Sequence, residues 1–122
     1  MAGIRNVALV ITGLIVVAGS AFADDRRNVE FMLPGCRYVA LSPPPVQDSE
    51  WSQAFICRDA LANVIKSGPI QPAFLASCVP EDTPQHVIAR AVVDFLEEDP
   101  KRIRERFDIR AAAALHSVWP CH

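Results

Sequence analysis

Four cysteines and three histidines are the residues of this 122-residue chain whose types could define a chemical site. The chain closes in SVWPCH, with Cys121 beside His122, and that ending allows haem attachment, metal ligation, nucleophilic catalysis or a covalent staple. Haem attachment through C-x-x-C-H needs a cysteine at 118, where the chain has Val118. Zinc sites usually draw ligands from closely spaced cysteine or histidine pairs, whereas Cys36, Cys57, Cys78 and Cys121 lie about twenty residues or more apart. A catalytic thiol needs a thiolate in an electropositive, open place with an oriented histidine base. Only His86, His116 and His122 are available, and His86 and His116 read as packing or surface residues. An even cysteine set in an oxidising compartment leaves no thiol for catalysis and points to two disulfides. No catalytic residue, metal or cofactor is expected.

The compartment follows from the first residues. Arg5, the apolar run Val7 to Ser20 and Ala21-Phe22-Ala23 before Asp24 read as a signal peptide over residues 1–23. Its apolar run is barely long enough to cross a bilayer, so cleavage rather than anchoring is expected, with no membrane attachment afterwards. Residues 24–122 then form one small exported domain that carries every cysteine. Arg5 is the one charged residue removed, which makes the product one unit more negative than the full chain's net −2. Without a long basic block to follow a phosphate backbone, nucleic acid is excluded as a partner.

The elements that must position the cysteines are helical. Val29, Leu33, Cys36, Val39 and Ala40 recur at helical spacing, with Pro34-Gly35 expected to kink that helix or to begin it. Pro43, Pro44 and Pro45 make a stiff turn. Asp48 or Ser49 is placed to cap a second helix with the stripe Ala54, Cys57, Leu61, Val64 and Ile65, stopped by Gly68-Pro69. IQPAFLASCVPED is an apolar connector broken by prolines. Thr83 is expected to cap a third helix, with Pro84 at its first position and Ile88, Ala91, Val92, Phe95 and Leu96 on its face. A short basic turn at PKRIRERF follows, then a last helix capped by Asp108 with Ile109, Ala112, Leu115 and Val118 inward. No segment alternates strictly, so the expected fold is all-α, a small disulfide-stapled bundle of four to five helices. Short loops make neighbouring helices antiparallel, which brings Cys78, before the third helix, to Cys121, after the last, and leaves Cys36 with Cys57.

Several stretches together resemble the Rap/Tai family of immunity proteins. They are Gly35-Cys36-Arg37, Cys57 with the hydrophobic helix after it, Cys78-Val79-Pro80 with Thr83 and Gln85, Val92-Val93-Asp94-Phe95-Leu96 ending in Glu98-Asp99-Pro100, and Trp119-Pro120-Cys121. The resemblance spans residues 24–122. It implies a periplasmic helical protein without enzymatic activity that neutralises a peptidoglycan amidase delivered by type VI secretion. The chain departs from the family in its second helix, where Cys57-Arg58-Asp59-Ala60 lacks the glycine the family commonly carries for close helix approach. The alternative reading is a periplasmic structural or stress-related helical protein, holdase-like, without a dedicated toxin.

For an inhibitor, the charged turn EEDPKRIRERFD is the candidate contact. Glu97 and Glu98 offer carboxylates to a catalytic histidine, and Arg102 and Arg104 offer partners to an acidic cleft rim; such charges chiefly steer association. The competing reading is a solvated helix end whose acids and bases pair with one another. Trp51 and Phe55 are either interface anchors or core. A second copy of the chain is the other possible partner.

Overall fold

Asn28 opens the first helix by accepting a hydrogen bond from Phe31 N–H on its side-chain oxygen at 2.9 Å. A cap of this kind contributes about 1 kcal/mol. In the computed structural model, described here for residues 27–41 and 48–122, four α-helices follow: α1 Val29–Val39, α2 Asp48–Ser67, α3 Gln85–Glu97 and α4 Phe107–Val118. Two 3-10 turns, Gly68–Ile70 and Pro100–Arg102, join them. No strand occurs among the described residues, only the isolated bridges Asn28–Arg106 and Ser77–Pro120. The fold is the expected all-α, disulfide-stapled bundle, with four α-helices among the described residues. The signal-peptide reading of residues 1–23 and the turn at Pro43, Pro44 and Pro45 lie outside the described residues.

Pro34 neither ends nor begins α1. The helix starts at Val29 and runs through it, with Pro34 on the exposed side. An interior proline costs about 3 kcal/mol, and the next two residues show what holds the helix regardless. Gly35 is buried against α2 so closely that a Cβ there would fall onto the Gln53 carbonyl. Cys36 then bonds Cys57 across the same seam, with the Cα atoms 5.3 Å apart. The close backbone approach between these two helices is made at Gly35 of α1.

The apolar stripe of α2 is as the periodicity predicts: Ala54, Cys57, Leu61 and Val64 are buried and Ile65 is half-buried. Asp48 is already helical. In α3 the buried set is Ile88, Ala89, Val92, Val93 and Leu96, while Ala91 and Phe95 are half-buried. Thr83 does not cap this helix: Pro84, in extended backbone, is the N-cap and makes no side-chain bond. Asp108 does not cap α4 either. Arg106 holds that position, and the Asp108 carboxylate lies in the first turn, accepting from Ile109 N–H at 2.8 Å and from the Arg106 guanidinium at 2.7 Å.

The inner face of α4 is rotated from the expected one. Ala111, Ala114 and Leu115 are fully buried with Ala112 beside them, whereas Ile109 and Val118 are half in water. Small alanine side chains let α4 approach its neighbours closely. Arg110 joins this face, its guanidinium 4.8 Å from the Phe95 ring centroid and its Nε 3.5 Å from Glu105. The core that results joins all four helices around Val29, Cys36, Val92, Leu96 and Leu115.

Candidate functional site

The charged turn is fixed to the bundle by its backbone. Glu30 N–H donates to the Ile103 carbonyl at 2.8 Å, Val29 N–H to Glu105 at 3.0 Å, and Phe107 N–H to Arg27 at 2.7 Å. The first N–H groups of α1, which have no partner within the helix, are thereby satisfied by the turn. Residues 103–107 act as a clamp across the start of α1 as well as a connector between α3 and α4.

On that rigid backbone the four predicted contact residues are all exposed, and three of them are paired. Glu97 meets Arg37 of α1 at 2.8 Å; Arg102 lies 3.1 Å from Asp99 and 3.9 Å from Glu105; Arg104 lies 3.7 Å from Glu30. Glu98 makes no ion pair with the described residues. The paired arrangement matches the solvated-surface reading of this turn. Each exposed pair is worth only about 0–1 kcal/mol, so an incoming partner can exchange them at small cost.

The apolar connector after α2 holds the residues that periodicity did not single out. Ile70 is 86% exposed and Phe74 73%, the most exposed large hydrophobic side chains among the described residues. They stand on a loop closed at its base by Gly68 and Ser77. The Gly68 carbonyl accepts from both Gln71 N–H and Ser77 N–H, and a Cβ on Gly68 would meet the Ser77 carbonyl oxygen at 2.7 Å. Within the loop, Leu75 N–H donates to Pro72 at 2.8 Å, while Pro69 and Pro72 fix their own φ angles. Its outgoing arm is tied to the C-terminus. His116 Nδ1–H donates to Ala76 at 2.7 Å, Cys78 N–H donates to Trp119 at 2.8 Å, and Cys78 bonds Cys121 with Cα atoms 5.0 Å apart. Two large apolar side chains are thus held out in water on a loop braced at both ends.

Beside the loop, α2 and α4 flank a groove of about 520 Å³. Ile56, Ala60, Val64, Phe107, Ile109 and Ala112 form its apolar walls, and Gln71 and Leu75 bring the loop to its edge. Trp51 and Phe55 are not core: both are about half exposed, packed edge to face at 6.1 Å, with the Arg58 guanidinium 5.7 Å from the Phe55 centroid.

All four cysteines are consumed in the two bonds, paired Cys36–Cys57 and Cys78–Cys121, so none can act as a thiolate in the oxidised protein. His86 is half-buried in the first turn of α3. His116 serves the loop, and His122 is exposed at the chain end. None of the described helices is long and apolar enough to cross a membrane. Comparison of the chain with protein families, with curated proteins and with solved structures finds no match.

Proposed function

We propose that this protein is a periplasmic immunity-type inhibitor that binds a peptidoglycan amidase effector of type VI secretion and has no enzymatic activity of its own. The observation that carries the reading is the braced loop with Ile70 and Phe74 in water. Exposed apolar side chains on a preorganised loop lose little conformational entropy on entering a cleft, so most of their burial becomes affinity. Glu97, Glu98, Arg102 and Arg104 supply charges that steer encounter and select the partner. The Rap/Tai resemblance names the amidase; the stapled scaffold and the apolar loop suit a cleft-filling role.

Co-expression with a periplasmically targeted amidase tests this. The protein should protect cells, and Ile70→Asp with Phe74→Asp should abolish protection while leaving the thermal melt unchanged. Protection that survives in the folded double variant would remove the loop from the mechanism. The same exposed side chains also suit the holdase-like alternative, which predicts that the protein suppresses aggregation of unrelated unfolded proteins and binds no amidase.

A further inference from the structure

The two disulfides differ in their surroundings. Cys36 and Cys57 are fully buried in the seam between α1 and α2, whereas Cys78 is exposed and Cys121 half-buried. Thiol–disulfide exchange requires an attacking thiolate to reach a sulfur. At Cys36–Cys57 that means parting two helices where Gly35 brings their backbones into contact. Cys78 and Cys121 lie outside the four described helices and outside the buried core.

The exposed bond also has a different task. It fastens the outgoing arm of the Ile70/Phe74 loop, Ala76 to Cys78, to the end of the chain, alongside the His116–Ala76 and Cys78–Trp119 hydrogen bonds. We infer that Cys78–Cys121 is a reducible latch on this loop, opened by a dithiol while Cys36–Cys57 stays shut. The inference rests on the reading of the loop as the binding surface.

The chemistry balances as an ordinary exchange. One thiolate of the dithiol attacks Cys78 Sγ, forming a mixed disulfide and expelling Cys121 as a thiolate. The second thiolate of the dithiol then displaces Cys78. Two electrons pass from the dithiol to the protein, the dithiol leaves as its own disulfide, and the two cysteines take up the protons it gave. With the latch open the loop keeps its turn and hydrogen bonds but loses its covalent anchor. Local opening becomes easier and the preorganised apolar surface is degraded.

The experiment treats the purified oxidised protein with graded dithiothreitol, alkylates the thiols and maps them by mass spectrometry. Cys78 and Cys121 should become labelled together, roughly a hundredfold faster than Cys36 and Cys57. Amide exchange over residues 69–78 should then accelerate about tenfold or more, while α1 and α2 stay protected. Cys78→Ser with Cys121→Ser should show the fast exchange without reductant. The decision does not depend on that variant folding, because the titration uses the unsubstituted chain. Opening of both bonds at the same dithiol concentration would overturn the latch, as would unchanged exchange over 69–78 once Cys78–Cys121 is open. Amidase binding by the oxidised protein is measured separately. Its absence would sink the inhibitor reading, and the latch would still be decided by labelling and exchange.

Discussion

Replacing Gly35 by alanine sets two effects of opposite sign against each other. Helix propensity alone favours alanine by about 0.8–1.0 kcal/mol in a helix interior. The packing of α1 on α2 opposes it: the added methyl would fall onto the Gln53 carbonyl group and lie 3.2 Å from the Ala54 nitrogen. Both are backbone atoms of a helix, so no side chain can swing away. Relief requires the two helices to move apart one residue from the Cys36–Cys57 bond. Overpacking of a well-filled seam costs about 1–3 kcal/mol, and a clash with backbone belongs at the top of that range. The net expectation is a loss of about 1–2 kcal/mol, or a fall in Tm of roughly 5–15 °C for a domain this small. The neighbouring Pro34→Ala should move the other way, because Pro34 is exposed and alanine restores an N–H to bond the Glu30 carbonyl. A gain of about 1–2 kcal/mol is expected, less than the full proline cost because the unfolded chain gains freedom as well. Thermal and urea unfolding of the oxidised proteins, followed by far-UV circular dichroism, would show both. A Gly35→Ala protein as stable as the parent would refute the account of this seam.

Removing the buried bond with Cys36→Ala and Cys57→Ala should cost about 3 kcal/mol or more from loop closure alone, read as a lower urea midpoint; a loss under about 1 kcal/mol would show that the seam holds without it. Reversing Glu97, Glu98, Arg102 and Arg104 together should change stability by no more than about 2 kcal/mol, since the pairs are exposed, yet weaken protection against the proposed amidase partner by slowing association. Unchanged binding by that folded variant would leave the charged turn as a clamp only. Ile70→Asp with Phe74→Asp should alter the unfolding free energy by less than about 0.5 kcal/mol, as expected at sites with few native contacts, and a large destabilisation would mean the loop is packed rather than presented.

Where an element's fate depended on its own residues, the sequence was readable. Ala54, Cys57, Leu61 and Val64 fall on one side of a helix at any plausible register, so α2 and its buried stripe are as expected. The Cys78–Cys121 pairing followed from helix ends meeting in an all-α chain, and Cys36–Cys57 was the pair that remained. In α4 the reading held in part. Ala112 and Leu115 are buried as expected, but the buried face turns toward Phe107, Ala111 and Ala114 and leaves Ile109 and Val118 half in water. The caps failed for two different reasons. At α4 the Phe107 N–H donates to the remote Arg27 carbonyl and Arg106 takes the N-cap ahead of Asp108, whereas Thr83 lies one residue before the N-cap of α3, Pro84, whose carbonyl accepts from Val87 and Ile88 N–H. The charges of the 97–106 turn were visible, but Arg37 and Glu30, the partners of Glu97 and Arg104, belong to α1, 60 and 74 residues away. The Ile70/Phe74 loop was legible only as an apolar connector. What holds it open is the Gly68–Ser77 closure and the C-terminal strap, and neither is local.

That loop connects stability to function. Leaving Ile70 and Phe74 in water forgoes about 1.5–3 kcal/mol each that burial would contribute. Leu75 lines the edge of the groove beside the loop, whereas Ile70 and Phe74 do not. Two prolines, the Gly68 carbonyl with its two donors and the Cys78–Cys121 bond fix the loop's path. Closing 21- and 43-residue separations, the two disulfides stabilise the bundle by about 3 and 4 kcal/mol on a chain-entropy estimate. Those contributions are comparable to what the exposed side chains forgo, so a small core can remain folded with its most hydrophobic loop unburied. The staples and the exposed loop are therefore parts of one arrangement: covalent constraint takes over a share of the stability that burial would otherwise supply, and the surface left uncovered is free to meet a partner.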